Sequence, residues 1–206
     1  MLEIRSVDIN EKDIIESVVN LHLKTFNGFF LSFMGCGFLK QMYTSYCNHD
    51  KSDLIVAEKQ GKVIGFLSYS YDFSGLYKFM IKKRLIRFAW YSLGAFLRKP
   101  RVFFRILRAF LKPSETKREE KYVELSSIGV DPNFKSEGIG TLLIEELKHR
   151  VNFKEYEYIT LETDAIYNDE VINFYKKNGF IIIKSFVTNE DREMYEMRYS
   201  PIIVKS

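Results

Sequence analysis

Val123-Glu-Leu-Ser-Ser-Ile-Gly-Val-Asp-Pro-Asn-Phe-Lys-Ser-Glu-Gly-Ile-Gly-Thr-Leu-Leu-Ile-Glu-Glu-Leu147 reads as a strand, a short loop with two glycines, and a helix. The strand is rich in β-branched and apolar residues and stops at Asp131-Pro132. Ile139, Leu142, Leu143 and Leu147 then recur at helical spacing, which starts the helix near Gly138. The run Lys135, Ser136, Glu137, Gly138, Ile139, Gly140 and Thr141 therefore offers backbone N–H groups at a helix N-terminus. Orphan donors and the positive end of the helix dipole both favour an anion there, and a pyrophosphate suits the site. Gly138 and Gly140 would let the backbone approach its oxygens closely. Taken alone, a glycine pair before a helix is weak evidence, because a plain tight turn is spelled the same way.

A second stretch strengthens it. Tyr158-Ile-Thr-Leu161 reads as a strand, and Asn168-Asp-Glu-Val-Ile-Asn-Phe-Tyr-Lys-Lys-Asn-Gly-Phe180 as a helix with its stop. Together the two stretches resemble the GNAT superfamily of acyl-CoA-dependent N-acyltransferases. Its pattern is [R/Q]-x-x-G-x-[G/A] after a strand, then another strand, then N-x(6)-Y-x-x-x-G-F. Lys135-Ser-Glu-Gly-Ile-Gly140 fits the first part, with Lys where Arg or Gln is usual; Lys keeps the charge but lacks the guanidinium fork. Asn168, Tyr175, Gly179 and Phe180 fit the second part in spacing and identity. The resemblance covers roughly residues 121–185 well; the N-terminal third matches only in element order.

Working outward, Leu2 to Arg5 reads as a first strand and Glu11 to Phe26 as a helix with Asn10 as its N-cap. Asn27-Gly28 breaks that helix. Phe29 to Tyr46 is again helical in pattern, with Gly35 and Gly37 marking a joint between a loop and a helix from Phe38. Phe29, Phe30 and Phe33 either pack the core or line an acceptor pocket. Asp53–Glu58 and Lys62–Tyr71 are two strands joined by a tight hairpin at Gln60-Gly61. Phe180–Ile183 and Arg192–Tyr199 supply the last two strands. The expected fold is α/β: a mixed, mostly antiparallel seven-stranded sheet flanked by about four core helices, in one domain over residues 1–206.

A helical insert at 76–117 interrupts this plan between the third and fourth strands. Residues 76–112 hold eleven Lys/Arg and no Asp or Glu, so the segment is +11 in a chain of net charge +4. Pro100 divides it, and beyond it Arg101, Arg105, Arg108 and Lys112 fall on one helical stripe. Three readings stay open. The insert is a solvated basic face that packs on the domain or on a second subunit of a homodimer; or a peripheral contact with an anionic membrane; or a clamp for an anionic acceptor. Nucleic acid is the weakest partner, since no recognised binding module accompanies the charge.

The composition is that of a globular protein, with 46% hydrophobic and 28% charged residues. The N-terminus lacks a signal-peptide pattern and the longest uncharged apolar run, at 88–97, is too short to span a bilayer, so a cytoplasmic protein is expected, with the inner membrane face as a place it could touch. Two cysteines and three scattered histidines show no metal-ligand spacing, and no metal is expected.

Moving an acyl group from a thioester to an amine requires a base, a polarised carbonyl and a proton for the leaving thiolate. Glu124, in the fourth strand, stands in the register where histone-acetylating members of the superfamily carry their catalytic glutamate; an ordinary strand carboxylate is the alternative. The resemblance assigns Tyr175 the acid role at the coenzyme's sulfur, against simple packing of helix on sheet. It also implies that Ile128, Gly129 and Val130 pair with the pantetheine arm like an added strand, and that Asn168 bonds the same arm besides starting a helix. Gly129 inside a strand suggests a bulge or a close approach. The expected activity is direct N-acetyl transfer from acetyl-CoA, as co-substrate, to a small-molecule primary amine, with an amino sugar on a nucleotide or lipid carrier as the guess. A protein or peptide amine is one alternative. The other is a non-catalytic acyl-CoA-binding or membrane-recruited module.

Overall fold

The computed structural model describes residues 1–26, 30–98, 100, 120–188 and 191–201. Its elements run β1 (Leu2–Ser6), α1 (Lys12–Thr25), α2 (Phe30–Met34), α3 (Cys36–Asn48), β2 (Ser52–Lys59), β3 (Lys62–Ser70), α4 (Phe73–Arg98), β4 (Tyr122–Val130), α5 (Ile139–Arg150), β5 (Tyr158–Asp164), α6 (Asp169–Lys177), β6 (Ile181–Val187) and β7 (Glu193–Tyr199). The strands form one seven-stranded sheet in the order β1-β2-β3-β4-β5-β7-β6. Every neighbouring pair is antiparallel except β4 and β5.

Two apolar layers sandwich the sheet. Val18, Leu39, Tyr43, Leu54, Val56 and Phe66 join α1 and α3 to one face, and Met80 and Phe88 bring α4 onto the same layer. Ile64, Leu67, Val123, Leu143, Ile159 and Tyr175 join α5 and α6 to the other. Alternation along β2 and β3 feeds both layers, so these strands read as nearly continuous apolar runs.

The β2–β3 hairpin has the expected two-residue loop. Lys59 pairs with Lys62, and both Gln60 and Gly61 take positive φ, 54° and 73°, as a type I′ turn requires. The start of α1 departs from expectation. Asn10 does not cap it; its backbone and side-chain amides bond Asp8 instead, and Glu11 occupies the cap position, its carboxylate held by Arg5. The loop foreseen before α3 contains the short helix α2, and α3 begins at Cys36 rather than Phe38. Phe33 packs against the first apolar layer, as core packing requires, while Phe29 and the Phe30 side chain lie outside the described residues.

The insert opens with α4, which buries Leu76, Tyr77, Met80 and Phe88. Gly37 of α3 leaves room for the Tyr91 ring, and Arg84 donates to Gln41 at 2.9 Å, so α4 is fixed along α3. The expected second helix, with Arg101, Arg105, Arg108 and Lys112, lies outside the described residues.

Candidate active site between the splayed parallel strands

β4 and β5 pair only at their beginnings: Tyr122 with Tyr158, Val123 with Ile159, and Glu124 with Thr160. From Leu125 onward β4 keeps β3 on one side and, among the described residues, has no strand on the other, while β5 continues along β7 to Asp164. The two parallel strands therefore diverge toward their C-terminal ends. A ligand in an α/β sheet binds by preference at such an end.

The open side of β4 carries free donors. Asp131 N–H bonds Ile64 at 2.8 Å, toward β3, and the Gly129 carbonyl faces Gly65. Alternation then turns the N–H groups of Ile128 and Val130 into the gap. Two of the three expected backbone partners face it; Gly129 does not. The expected bulge is present but sits elsewhere. Ser68 pairs with Ser127 and Tyr69 with Leu125, which leaves Ser126 as the extra residue. At Gly129 the close approach is made by an aromatic ring, since a Cβ there would stand 2.7 Å from Phe66.

The loop after β4 closes the end of the gap. Asp131, 5% exposed, starts a single 3-10 turn at Pro132–Phe134 by accepting from Asn133 N–H, and it also takes a 2.7 Å bond from Lys24 of α1. That lysine holds the Asp131 carboxyl below the usual carboxylate range, with the Asn133 N–H adding to the effect. Ser136 and Gly138 adopt positive φ, 68° and 78°, which curls the chain into the start of α5. No side chain caps α5 and its first turn holds no acid. Among the described residues, the N–H groups of Ser136, Gly138, Ile139, Gly140 and Thr141 have no backbone or side-chain acceptor. α6, by contrast, has Asp169 and Glu170 in its first turn, which answers its own dipole. Of these two helix starts, α5 is thus the one whose donors and dipole stay unanswered.

The side chains around this loop are engaged in different ways. Lys135 reaches across the mouth to Glu170 at 2.6 Å, an exposed pair of little energetic weight that an incoming anion would replace. Glu137 turns away to Lys59 at 3.3 Å. Ile139 is buried and contributes only backbone. The space beside Gly140 is filled by Phe174, with a Cβ there meeting the ring at 2.9 Å, so the missing side chain makes room for a ring and this glycine offers an anion only its N–H. Of the two loop glycines, Gly138 is the one that opens onto free space. Lys24, Lys59 and Lys62, none of them singled out in the sequence, surround the loop through Asp131 and the Phe134 ring.

Asn168 is a further correction. It sits at the cap position of α6 without capping it; its side-chain amide donates to Thr163 at 2.8 Å and to the Asp164 carbonyl at 2.9 Å. Its role in the fold is to tie the end of β5 to the start of α6.

With this geometry in place, comparison with known proteins is decisive. The profile of the acetyltransferase (GNAT) family matches residues 16–180. The chain belongs to that family. Among curated proteins none matches it by sequence. Solved structures share its fold at low identity. A GNAT-family acetyltransferase from Desulfovibrio desulfuricans is 13% identical, with a TM-score of 0.62 over 97% of this chain and 99% of that one. An N-acetyltransferase from Staphylococcus aureus Mu50 is 15% identical, with a TM-score of 0.61 over 97% and 98%. The PaiA N-acetyltransferase from Thermoplasma acidophilum, solved in complex with coenzyme A, is 13% identical, with a TM-score of 0.58 over 98% and 99%. As a GNAT acetyltransferase, the chain uses acetyl-CoA as its co-substrate, and the splayed strands with the uncapped α5 terminus have the donors to receive it.

The GNAT fold also places the two candidate catalytic side chains on opposite faces of the sheet, with the gap between them. Tyr175 belongs to the α5–α6 layer, is 7% exposed, and touches Phe174 and Phe180. Burial raises its phenol above the usual range. Glu124 lies on the other face, half-buried, near Tyr46 of α3. Burial raises the Tyr46 phenol, and the Glu124 carboxylate adds to the rise. The hydroxyls of Ser68 and Ser126 are buried beside Tyr46, close enough to favour its ionised form yet not aligned for a hydrogen bond. The bulge produces this group, because it puts Ser126 and Ser127 on one face; Ser127 stands by the Tyr43 hydroxyl, which meets His22 at 2.7 Å. One signal of it is present in the sequence: the apolar positions of β4 change parity, from Val123 and Leu125 to Ile128 and Val130. Among the described residues no cluster of His, Cys, Asp or Glu could hold a metal ion.

Proposed function

We propose that the enzyme transfers the acetyl group of acetyl-CoA directly to a primary amine bound on the α1–α3 face, with Glu124 as base and Tyr175 as acid. The observation that carries this reading is the divergence of β4 from β5, with Ile128 and Val130 N–H on the open side and the uncapped α5 terminus at its end. Acetyl-CoA supplies an activated thioester. Ser136, Gly138, Ile139, Gly140 and Thr141 would hold its diphosphate by their N–H groups, and Ile128 and Val130 its pantetheine arm. Glu124 takes the proton that an ammonium must lose before nitrogen can attack. A water held among Tyr46, Ser68 and Ser126 would relay it, since that polar pocket has unmet hydrogen-bonding capacity. The Ile128 N–H faces the carbonyl oxygen as charge builds there. Tyr175 keeps its proton across the physiological range and offers it to the departing thiolate, and it is made whole by the second proton, which the acylated nitrogen sheds as the amide forms.

No covalent acyl-enzyme is part of the proposal. Cys47 is the more buried of the two thiols, and burial pushes it up to about 12, far from a reactive thiolate. For the acceptor we propose an amino sugar on a nucleotide or lipid carrier. α4 supports this: it packs on α3, whose Tyr46 neighbours Glu124, and it is rich in cations that suit a phosphate. Release of free coenzyme over a panel of amines, including carrier-linked amino sugars and peptides, tests the reading. Turnover confined to peptide N-termini or lysines would replace the acceptor class. Tight acetyl-CoA binding with no turnover on any amine would replace catalysis by a sensing role.

A further inference from the structure

α4 has one side that no part of the described fold explains. Its buried side carries Leu76, Met80 and Phe88, but Ile86, Trp90 and Leu97 are 85%, 73% and 72% exposed. At 3.6 residues per turn these three fall within about 40° of one another around the helix. Lys82 borders the stripe on one flank, Lys83 and Arg87 on the other, and all three are exposed. Over its 26 residues α4 contains six Lys/Arg and no Asp or Glu. A groove of about 290 Å³ between α3 and α4, lined by Gln41, Ile86, Arg87, Trp90 and Tyr91, continues this surface.

An exposed apolar stripe with cations on both sides is the design of a helix lying in a membrane interface. The apolar side chains enter the acyl boundary, and the long basic ones reach back to the headgroups. Trp is the residue most at home at that depth. A second copy of this chain is a poor occupant, because a two-fold contact would set Lys82, Lys83 and Arg87 against the same three cations of the other copy. No described helix is long and apolar enough to cross a membrane, which leaves surface docking. We propose that α4 docks the protein on an anionic membrane surface through Ile86, Trp90 and Leu97, with Lys82, Lys83 and Arg87 on the headgroups. Since α4 packs in the same layer as α1 and α3, docking turns the face that carries Glu124 toward the bilayer.

Trp90 is the chain's one tryptophan, so the full-length protein carries its own reporter. Its emission is followed as vesicles of phosphatidylcholine with about one third phosphatidylglycerol are added, and as pure phosphatidylcholine vesicles are added. The expected result is a blue shift with the anionic vesicles alone. Lys82→Glu with Lys83→Glu, and separately Ile86→Ser with Leu97→Ser, are each expected to weaken vesicle partitioning by about tenfold or more. Acetyl-CoA titration of each variant shows that it is folded, and keeps this question apart from catalysis. An unchanged emission with anionic vesicles, in protein that binds acetyl-CoA, would overturn the proposal. So would a blue shift that follows protein concentration without vesicles, which would assign the stripe to a second copy.

Discussion

Tyr175 and Phe180 are joined through both backbone and ring. The Phe180 N–H bonds the Tyr175 carbonyl at 3.0 Å, and their rings meet edge to face with centroids 5.7 Å apart. Gly179 between them takes φ 84° and bonds Lys176, which completes a Schellman stop to α6. The residue proposed as acid is thus positioned by the same motif that ends its helix.

Tyr175→Phe separates these roles. Among the described residues the Tyr175 hydroxyl makes no hydrogen bond, so its removal should shift stability by less than about 0.5 kcal/mol. The turnover rate should fall on the order of a hundredfold, with the KM for acetyl-CoA unchanged. Because burial raises the phenol, the wild-type rate should show no loss from Tyr175 ionisation below about pH 10. Steady-state kinetics with a pH profile checks all three.

Glu124→Gln should lower the turnover rate by about a hundredfold or more and remove the acid limb of the pH–rate profile, while calorimetry finds acetyl-CoA affinity intact. Ser126→Ala should lower turnover less, and it should leave the fold untouched because the bulge is a backbone feature. Equal rates for Glu124→Gln and wild type would move the base elsewhere.

The two glycines of the loop should respond differently to alanine. At Gly138 a methyl meets nothing within 4 Å, so Gly138→Ala costs only the left-handed backbone, about 1–2 kcal/mol. At Gly140 it would meet Phe174 at 2.9 and 3.1 Å and force the α5–α6 contact apart, costing about 1–3 kcal/mol. Chemical denaturation measures both, and Gly140→Ala should also slow turnover by disturbing the helix that carries Tyr175.

Two buried groups should leave separate marks on stability against pH. Burial lowers the His22 imidazole to about 4. The unfolded chain therefore binds this proton first, and stability falls as pH drops from about 6.5 toward 4, by roughly 3 kcal/mol at most. The Asp131 carboxyl, lowered by Lys24, stabilises the fold above its unfolded value of about 3.9; that contribution is lost as pH falls below it. Urea titrations across pH should show His22→Gln flattening the upper window alone and Asp131→Asn the lower alone.

Much of this was legible in the chain. The β4–loop–α5 unit, the Gln60-Gly61 turn and the Gly179 stop rest on local chemistry, and they form where their spelling puts them. The divergence of β4 from β5 was not legible, because register between distant strands is set by packing on both faces rather than by either strand's own residues. Lys24 and Asp131 stand 107 positions apart and meet only once α1 lies over β4. Asn168 was misread because a cap position suggests a cap, whereas the Thr163 hydroxyl and the Asp164 carbonyl offered its amide better-placed acceptors. The parity change of β4 did spell the Ser126 bulge, but a strand rich in apolar residues hides one extra position well.

Calorimetric titration of the full-length protein with acetyl-CoA, beside Gly138→Asp, reaches the proposed anion site itself. The wild type should bind one equivalent with measurable heat, and the aspartate, whose charge opposes the diphosphate at the α5 terminus, should weaken it by about tenfold or more while the protein stays folded. No heat with the wild type, or equal affinity in the variant, would contradict a coenzyme seated between β4 and β5 on the amide groups of Ser136–Thr141.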